Sequence, residues 1–291
     1  MLDILLVDNG SIRPEATLGL RRLAVELGDR TRKTIHPVSL QHAGRAPISA
    51  LGGEPAQTLE PFLWRRARDG VRNFLVLPLF FGRSRALTTF IPEQQQTLAE
   101  EFEGLTVDVA DELYSLPKGE PRLAALLLDN VRRSAGTRTP DRIVLVDHGS
   151  PIPQVTEVRR RLAEDLRGLL DGSVELREAV MERRRGTQYD FNGELLEEVV
   201  AGMAREDAAR PVDLAMLFLS PGRHAGPGGD IEAICRGAQD RYPGFRVTPS
   251  ALVGEHPGLI AILADRLADA VSRSTAQRSS DSVSTARPDR F

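Results

Sequence analysis

Two histidines stand where strand-like segments of the sequence end. His148 follows the apolar run RIVLVD, and His224 lies in a glycine-rich turn after the run VDLAMLFL. Alternating strand and helix patterns predict a parallel sheet, and ligands of such sheets bind beyond the carboxyl ends of the strands. Imidazoles in that position are suited to binding a metal ion or transferring a proton. The two rings are therefore predicted to face one site.

A carboxylate completes this candidate site. Glu182 follows the run VELREAVM, at the entrance to the next loop. Two imidazoles and one carboxylate suit a divalent first-row metal ion, and so small a ligand set leaves coordination positions open for a substrate. The sequence therefore predicts a metal or proton-transfer site formed by His148, Glu182 and His224.

The elements that position these residues occur twice, because the chain contains an internal repeat. The segment DILLVDNGS at 3–11 aligns with RIVLVDHGS at 142–150, and LPLFFGRS at 77–84 aligns with LFLSPGRH at 217–224. The three counterparts of the candidate ligands in the first half are Asn9, Gln41 and Ser84. Residues with a packing role would be expected in both repeats. The absence of the two histidines and the glutamate from the first repeat therefore favours a chemical role for them.

Each half alternates short apolar runs with longer amphipathic ones, which predicts an α/β fold of two tandem repeats. Each repeat is expected to hold a parallel sheet flanked by helices on both faces. We place the first repeat at 1–138 and the second, which carries the candidate ligands, at 139–272. Residues 273–291 are rich in Ser, Arg, Thr and Asp, which predicts a disordered tail.

Composition narrows the class of protein. The chain has 291 residues and a formal net charge of -3, so it has no overall attraction to nucleic acid or to anionic membranes. The single cysteine, Cys235, excludes a disulfide framework within the chain and is interpreted as a small buried residue. No secretory signal and no membrane-spanning run is recognised, which predicts a cytoplasmic protein.

Arginines and glycines near the candidate site indicate an anionic, flat ligand. Arg83 and Arg223 are placed to pair with carboxylates, whereas the arginines at 183–185 fit a solvated face equally well. The glycine-rich turn beginning at Gly222 would let a flat ligand approach the backbone. The turn matches neither dinucleotide nor P-loop patterns, so nucleotide binding is a minor alternative.

The remaining histidines give weaker signals. His36 lies inside a strand-like run, and His256 lies in a turn where a hydrogen-bonding role suits it equally well, so neither is assigned a function. His42 is the only candidate from the first half that could reach the cleft.

These motifs resemble the CbiX/SirB family of class II chelatases, which insert cobalt or ferrous iron into sirohydrochlorin, a precursor of cobalamin and siroheme. The resemblance covers about residues 1–272 and is carried by L-V-x-H-G-S at 145–150, V-M-E at 180–182 and G-x-H-x-x-x-x-x-D-I at 222–231. It implies a chelatase-like fold and a metal chelatase activity. It also implies that His148, Glu182 and His224 bind the metal and accept pyrrole protons.

The resemblance also implies how the substrates bind. The divalent metal ion, Co2+ or Fe2+, is a substrate, and no organic cofactor is implied. The tetrapyrrole would lie in the cleft between the halves, against Arg83, Ser150, Gly222 and Arg223.

The first half departs from the family pattern at all three ligand positions. It also has F-I-P at 90–92 where the family has an acidic residue, whereas the second half keeps Asp230. One working site per chain is therefore predicted. A non-catalytic tetrapyrrole- or metal-binding protein is the alternative. The sequence does not decide which metal ion is used. Either a monomer or a homodimer is compatible with the duplication.

Overall fold

The structure, a computed structural model, describes residues 2–284, with side chains described as far as Ser274. It contains two four-stranded parallel sheets. The first sheet has the order β2-β1-β3-β4 and is formed by β1 (Leu2–Asp8), β2 (Ile35–Ser39), β3 (Asn73–Pro78) and β4 (Thr106–Val109). The second has the order β6-β5-β7-β8 and is formed by β5 (Arg142–Asp147), β6 (Glu175–Val180), β7 (Val212–Met216) and β8 (Val247–Pro249). The predicted fold of two tandem parallel sheets is confirmed.

Eight α-helices are described around these sheets. They are α1 (Pro14–Thr31), α2 (Leu59–Arg68), α3 (Ile91–Glu101), α4 (Pro121–Ala135), α5 (Pro153–Leu169), α6 (Leu196–Glu206), α7 (Asp230–Arg241) and α8 (Leu259–Ser284). A proline lies in the first turn of α1, α3, α4 and α5, where its missing N–H costs no hydrogen bond. None of the described helices is both long enough and apolar enough to span a membrane.

The two repeats exchange their last helices. Helix α4 ends the first repeat but packs on β7 and β8 of the second sheet and on α5. Helix α8 ends the second repeat but packs on β3 and α1 of the first. One apolar core therefore runs between the two sheets, with residues of both repeats in it, and each sheet has a separate core on its outer face. This packing fixes the two repeats against each other.

Buried polar contacts reinforce the junction. The Arg266 guanidinium of α8 donates to the carbonyls of Glu112 and Leu113 and to the carboxylate of Glu120, all in the first repeat. The Tyr114 hydroxyl donates to Asp165 of α5 at 2.7 Å. Because a guanidinium that is 5% exposed needs all of these acceptors, the junction tolerates little displacement.

The predicted tail at 273–291 begins too early. Helix α8 continues through Ser284, and residues 285–291 of the predicted tail lie outside the described residues. The helix is held to the first repeat at this point, because Arg273 pairs with Asp111 at 3.0 Å and the Ser274 hydroxyl donates to Asp108 at 2.6 Å. Composition alone does not reveal such contacts with a distant segment.

Candidate metal centre

The topology of the second sheet brings the three candidate ligands together. His148 follows the central strand β5 directly, and Glu182 and His224 lie in the loops after its two neighbours, β6 and β7. One ligand atom from each residue lies within 4.8 Å of the other two. Ligands about 2.1 Å from a tetrahedral ion lie about 3.4 Å apart, so a small inward movement would complete a metal site. No other such group of three is found among the described residues.

A glycine allows the first two loops to approach each other. Gly149 has a positive φ of 85°, and a Cβ built on it would lie 2.1 Å from the backbone oxygen of Glu182. The Glu182 amide donates to the backbone oxygen of His148 at 3.0 Å. The first repeat has the same arrangement, in which a Cβ on Gly10 would lie 1.8 Å from the oxygen of Gln41. This glycine therefore serves the loop geometry in both repeats.

Replacing Gly149 with Ala is expected to destabilise the protein by at least about 2 kcal/mol, because the positive φ and the clash with Glu182 act together. The same change should displace Glu182 and weaken metal binding. Chemical denaturation and metal titration measure the two effects.

Gly168 provides the matched control. It lies in α5, and a Cβ built on it would have no atom within 4 Å, so Gly168→Ala is expected to leave metal binding unchanged and to stabilise the helix by up to about 1 kcal/mol. Equal metal affinity in both variants would contradict the role assigned to the Gly149 turn.

The orientation of His224 is set by Asp230, the first residue of α7. Nδ1 of His224 lies 2.9 Å from the Asp230 carboxylate, and the side chain is 7% exposed. An ionised carboxylate only accepts hydrogen bonds, so Nδ1 carries the proton in this pair. In the neutral ring Nε2 then keeps a free lone pair, which is the arrangement that metal-binding histidines use.

Nε2 of His224 lies 3.3 Å from Oε1 of Glu182. A lone pair and a carboxylate oxygen repel each other unless a proton or a cation lies between them. The His148 ring approaches the His224 ring edge-on, with centroids 4.8 Å apart. Arg223 lies at the rim, 3.5 Å from Glu182 and 3.4 Å from Asp230, and balances part of their charge. The three ligands thus surround a position suited to a cation.

The first repeat supplies the opposite wall of the cleft beside this centre. The cleft has a volume of about 490 Å³. Residues of the first repeat in its lining include Ser11, Phe80, Phe81, Gly82 and Ser84, and residues of the second include Leu217, Phe218, Gly222, Arg223 and His224. Aromatic side chains with glycines between them give an apolar wall that a flat ring can approach closely.

The first-repeat counterparts of the ligands cannot form an equivalent centre. Asn9 and Gln41 border a second depression of about 280 Å³, and Asn9 and Ser84 also line the cleft. The Ser84 hydroxyl is buried with no hydrogen-bond partner in the described part of the chain. An amide oxygen and a hydroxyl bind first-row metal ions more weakly than imidazole and carboxylate do. Among the described residues there is therefore one candidate centre, in agreement with the asymmetry of the sequence.

Four residues were predicted to bind the tetrapyrrole, and two of them line the cleft. Gly222 and Arg223 lie in its wall. Ser150 does not, because its amide and carbonyl bond with Asn192 and its hydroxyl accepts from the amide of Ile152 at the start of α5. Arg83 is exposed beside the cleft and is not part of its lining. The Ser150 hydroxyl is used locally to shape the loop, and its contact with the tetrapyrrole stays a prediction.

Two of the other histidines, His42 and His256, lie away from the cleft and take no part in the candidate site. His256 lies 2.8 Å from Asp129 of α4 and also accepts from the amide of Gly258, so it joins the exchanged helix to the last loop. His42 is exposed and does not line the cleft.

A buried polar network below His148 was not anticipated from the sequence. Arg159 of α5 donates to Asp147 at 2.8 Å, to Glu178 at 3.2 Å and to the carbonyl of Asn192 at 2.6 Å. The Asn192 side chain accepts from the Thr156 hydroxyl. Burial raises the pKa of Asp147, and the Arg159 guanidinium opposes that rise. The network holds the residue that precedes His148.

The first repeat keeps the acid but not the network. Asp8 is the counterpart of Asp147, and the residue aligned with Arg159 is Leu20. Asp8 is 6% exposed, and its Oδ1 has no hydrogen-bond partner among the described residues. Burial without a cation raises the pKa of Asp8 to about 6, and hydrogen bonds from Ser39 and Gly10 offset only part of the effect.

Replacing Asp8 with Asn is expected to stabilise the protein at neutral pH. Below pH 3.8 the carboxyl is protonated in both the folded and unfolded states, and it contributes nothing. As the pH rises from 3.8 to about 6, only the unfolded state ionises, so the folded state loses about 3 kcal/mol of relative stability. The gain from Asp8→Asn should therefore be present at pH 7 and disappear towards pH 4.

Denaturation curves of the wild type and Asp8→Asn at pH 4 and pH 7 measure this difference. Asp69, half-exposed at the end of α2, provides Asp69→Asn as a control with the same change in charge. A gain that is equal at both pH values would show that Asp8 is not ionised at a cost in the folded state.

Comparison with known proteins gives one family match. The family model CbiX matches residues 142–270, which include all three candidate ligands. Comparison with curated proteins by sequence finds no match.

Solved structures of similar fold cover nearly the whole chain. SirB from Bacillus subtilis with Fe3+ has a TM-score of 0.69 and 17% identity over 95% of this chain and 98% of that chain. SirB from Bacillus subtilis subspecies spizizenii in complex with cobalt has a TM-score of 0.64 and 15% identity over 95% and 97%. CbiX, described as the terminal enzyme of siroheme biosynthesis in denitrifying bacteria, has a TM-score of 0.55 and 18% identity over 92% and 99%. The predicted resemblance is confirmed.

Proposed function

From the match of the CbiX family model to residues 142–270, we propose that the protein inserts a divalent metal ion into sirohydrochlorin or a related tetrapyrrole. The observation that carries the proposal is the meeting of His148, Glu182 and His224 at one edge of one sheet, beside a cleft between two repeats. The SirB relatives were solved with Fe3+ and with cobalt, so Fe2+ and Co2+ are the metals to test.

Insertion requires two events at neighbouring positions. The tetrapyrrole loses two pyrrole N–H protons, and the metal ion leaves its protein ligands for the four ring nitrogens. Glu182 and His148 are exposed towards the cleft and are able to accept protons once the metal has left them. His224 is fixed by Asp230, so it acts as the firm ligand that delivers the ion at a constant position.

The cleft is suited to a flat, carboxylated substrate. Phe80 and Phe81 of one repeat and Phe218 of the other offer apolar surface, and Gly222 leaves the backbone accessible. Arg223 is 77% exposed at the rim and is free to pair with a substrate carboxylate when the metal neutralises Glu182. Because the first repeat has none of the metal ligands, its wall of the cleft is left to bind the tetrapyrrole ring and not the metal ion.

Anaerobic absorbance spectroscopy of sirohydrochlorin with Co2+ or Fe2+ tests the proposal. We expect metallation to be faster with the protein than without it, and to return to the uncatalysed rate in the His148→Ala/His224→Ala double variant. His42→Asn, which removes an exposed imidazole of the first repeat outside the cleft, should retain the activity. Binding of the tetrapyrrole without acceleration would instead identify a non-catalytic binding protein.

A further inference from the structure

A large pocket opens in the first repeat, away from the metal centre. It has a volume of about 1190 Å³ and lies between α1, the edge strand β2 and the loop that precedes α2. Its lining includes Thr17, Leu20, Pro37, Ser39 and Pro55. None of the candidate metal ligands borders it.

The second repeat shows what fills the corresponding space there. The helices α1 and α5 begin at equivalent prolines, which pairs Leu20 with Arg159 and Thr17 with Thr156. The strand register pairs Pro37 with Glu178, because these residues lie opposite Leu6 and Leu145.

The loop over each edge strand can be aligned in the same way. Isolated bridges join Ser39 to Thr58 and Val180 to Leu195, so Pro55 and Asn192 each lie three residues before the bridging residue. The pocket of the first repeat is therefore lined by the counterparts of the residues that surround the Arg159 guanidinium in the second.

Two polar groups of the first repeat have lost their partners together with that guanidinium. The Thr17 hydroxyl, on a residue that is 5% exposed, has no hydrogen-bond partner in the described part of the chain, whereas Thr156 bonds with Asn192. Oδ1 of Asp8 is also buried and unpartnered, whereas Asp147 accepts from Arg159 at 2.8 Å. A buried carboxylate with no cation beside it and one oxygen unpartnered lowers the stability of the fold, which points to a use for it.

We propose that this pocket binds a small organic cation, with a guanidinium or primary ammonium group, whose charged end takes the place of Arg159 between Asp8 and Thr17. The raised pKa of Asp8 supports this assignment, because it is the expected property of a carboxylate whose cation is missing. Oδ1 of Asp8 and Oγ1 of Thr17 are both closed off from solvent, so binding requires the Leu20 side chain to turn aside. The rim carries charges of both signs, on Arg21, Asp29, Arg32, Lys33 and Glu54. Asp8 does not itself line the pocket: it hydrogen-bonds with the lining residue Ser39 and borders the cleft of the metal centre on its other side.

Titration of the full chain with methylguanidinium at about pH 7.5, above the raised pKa of Asp8, tests the proposal. Methylurea has nearly the same shape without the charge and serves as the ligand control. By NMR we expect saturable shifts of the backbone amide signals of Ser39 and Leu20 with methylguanidinium and none with methylurea. The midpoint of thermal unfolding should also rise with the concentration of the cation.

Two matched variants locate the binding. Asp8→Asn should weaken binding by at least about tenfold, because a charge-assisted hydrogen bond is lost. Asp29→Asn makes the same change at the rim and should weaken it much less. An absence of saturable binding, an unchanged affinity in Asp8→Asn, or an equal loss in Asp29→Asn would each overturn the proposal.

Leu20→Arg provides an independent measurement, because it restores the residue of the second repeat. The variant should be closed to methylguanidinium and should no longer gain stability from it. If this buried substitution prevents folding, the comparison of Asp8→Asn with Asp29→Asn still decides the question. Unchanged binding in a folded Leu20→Arg variant would also overturn the proposal.

Discussion

Replacing His224 with Ala is expected to weaken the binding of Co2+ by at least about a hundredfold, because even residues that only orient a ligand contribute ten- to a hundredfold. His224 is the one buried ligand of the three, and Asp230 fixes its ring. His148→Ala should have a smaller effect, because the His148 ring is exposed and its Nδ1 lies 3.1 Å from the backbone oxygen of Gly149, without a carboxylate to orient it. Visible absorbance of bound Co2+, titrated against the metal-free protein, gives both the affinity and the number of ions per chain.

His42→Asn is the matched control for the loss of an imidazole. His42 is exposed, lies outside the cleft, and has a positive φ of 64° that Asn tolerates. Its replacement should leave the Co2+ affinity and the stoichiometry of one ion per chain unchanged. A second strong ion in the wild type, or an unchanged affinity in His224→Ala, would show that the metal binds elsewhere.

The meeting of the three candidate ligands at one edge of the sheet was predictable because two simple rules converge on it. Parallel strands place the residues that follow them at one edge of the sheet, and the repeat allows each such residue to be compared with a counterpart. His148, Glu182 and His224 differ from their counterparts, whereas Gly149 and Gly10 are shared and serve the loop. The comparison separates residues that could do chemistry from residues that only shape the backbone.

The exchange of helices α4 and α8 was not predictable by the same means. Periodicity shows which face of a helix is apolar, but any sheet of suitable shape can cover that face. Equally, a boundary drawn at 138 and 139 divides the repeats in sequence but does not show that each sheet is covered by the other repeat's last helix. The cleft depends on this exchange, because it fixes the distance between the two walls.

The network around Arg159 could have been found from the sequence. Its helix has an apolar face on which Leu162 and Leu166 are fully buried, and Arg159 lies on that face between Thr156 and Leu162. The first repeat has Leu20 at this position, as an apolar face requires. A charged residue aligned with a buried leucine indicates a buried partner of opposite charge.

Replacing Arg159 with Leu, the residue of the first repeat, is expected to destabilise the protein by about 3–5 kcal/mol at neutral pH, because it leaves a buried carboxylate without its cation. Asp147, Glu178 and the carbonyl of Asn192 lose a donor at once. Asp147 precedes His148 and also accepts from the Gly149 amide, so the metal site should loosen as well. Denaturation measures the first effect and Co2+ titration the second.

Arg161→Leu is the matched control on the same helix. Arg161 is half-exposed and, among the described residues, forms ion pairs with Glu157 and Glu164 on the helix surface, so its loss should change the stability far less than the loss of Arg159 does. Equal effects of the two substitutions would mean that the buried ion pair contributes no more than a surface pair. The first repeat tolerates a leucine at this position, with Asp8 unpaired, and a large loss in Arg159→Leu would show that the second repeat does not. Since the metal ligands lie only in the second repeat, that difference would tie the retained arginine to the rigidity of the metal centre rather than to the fold that both repeats share.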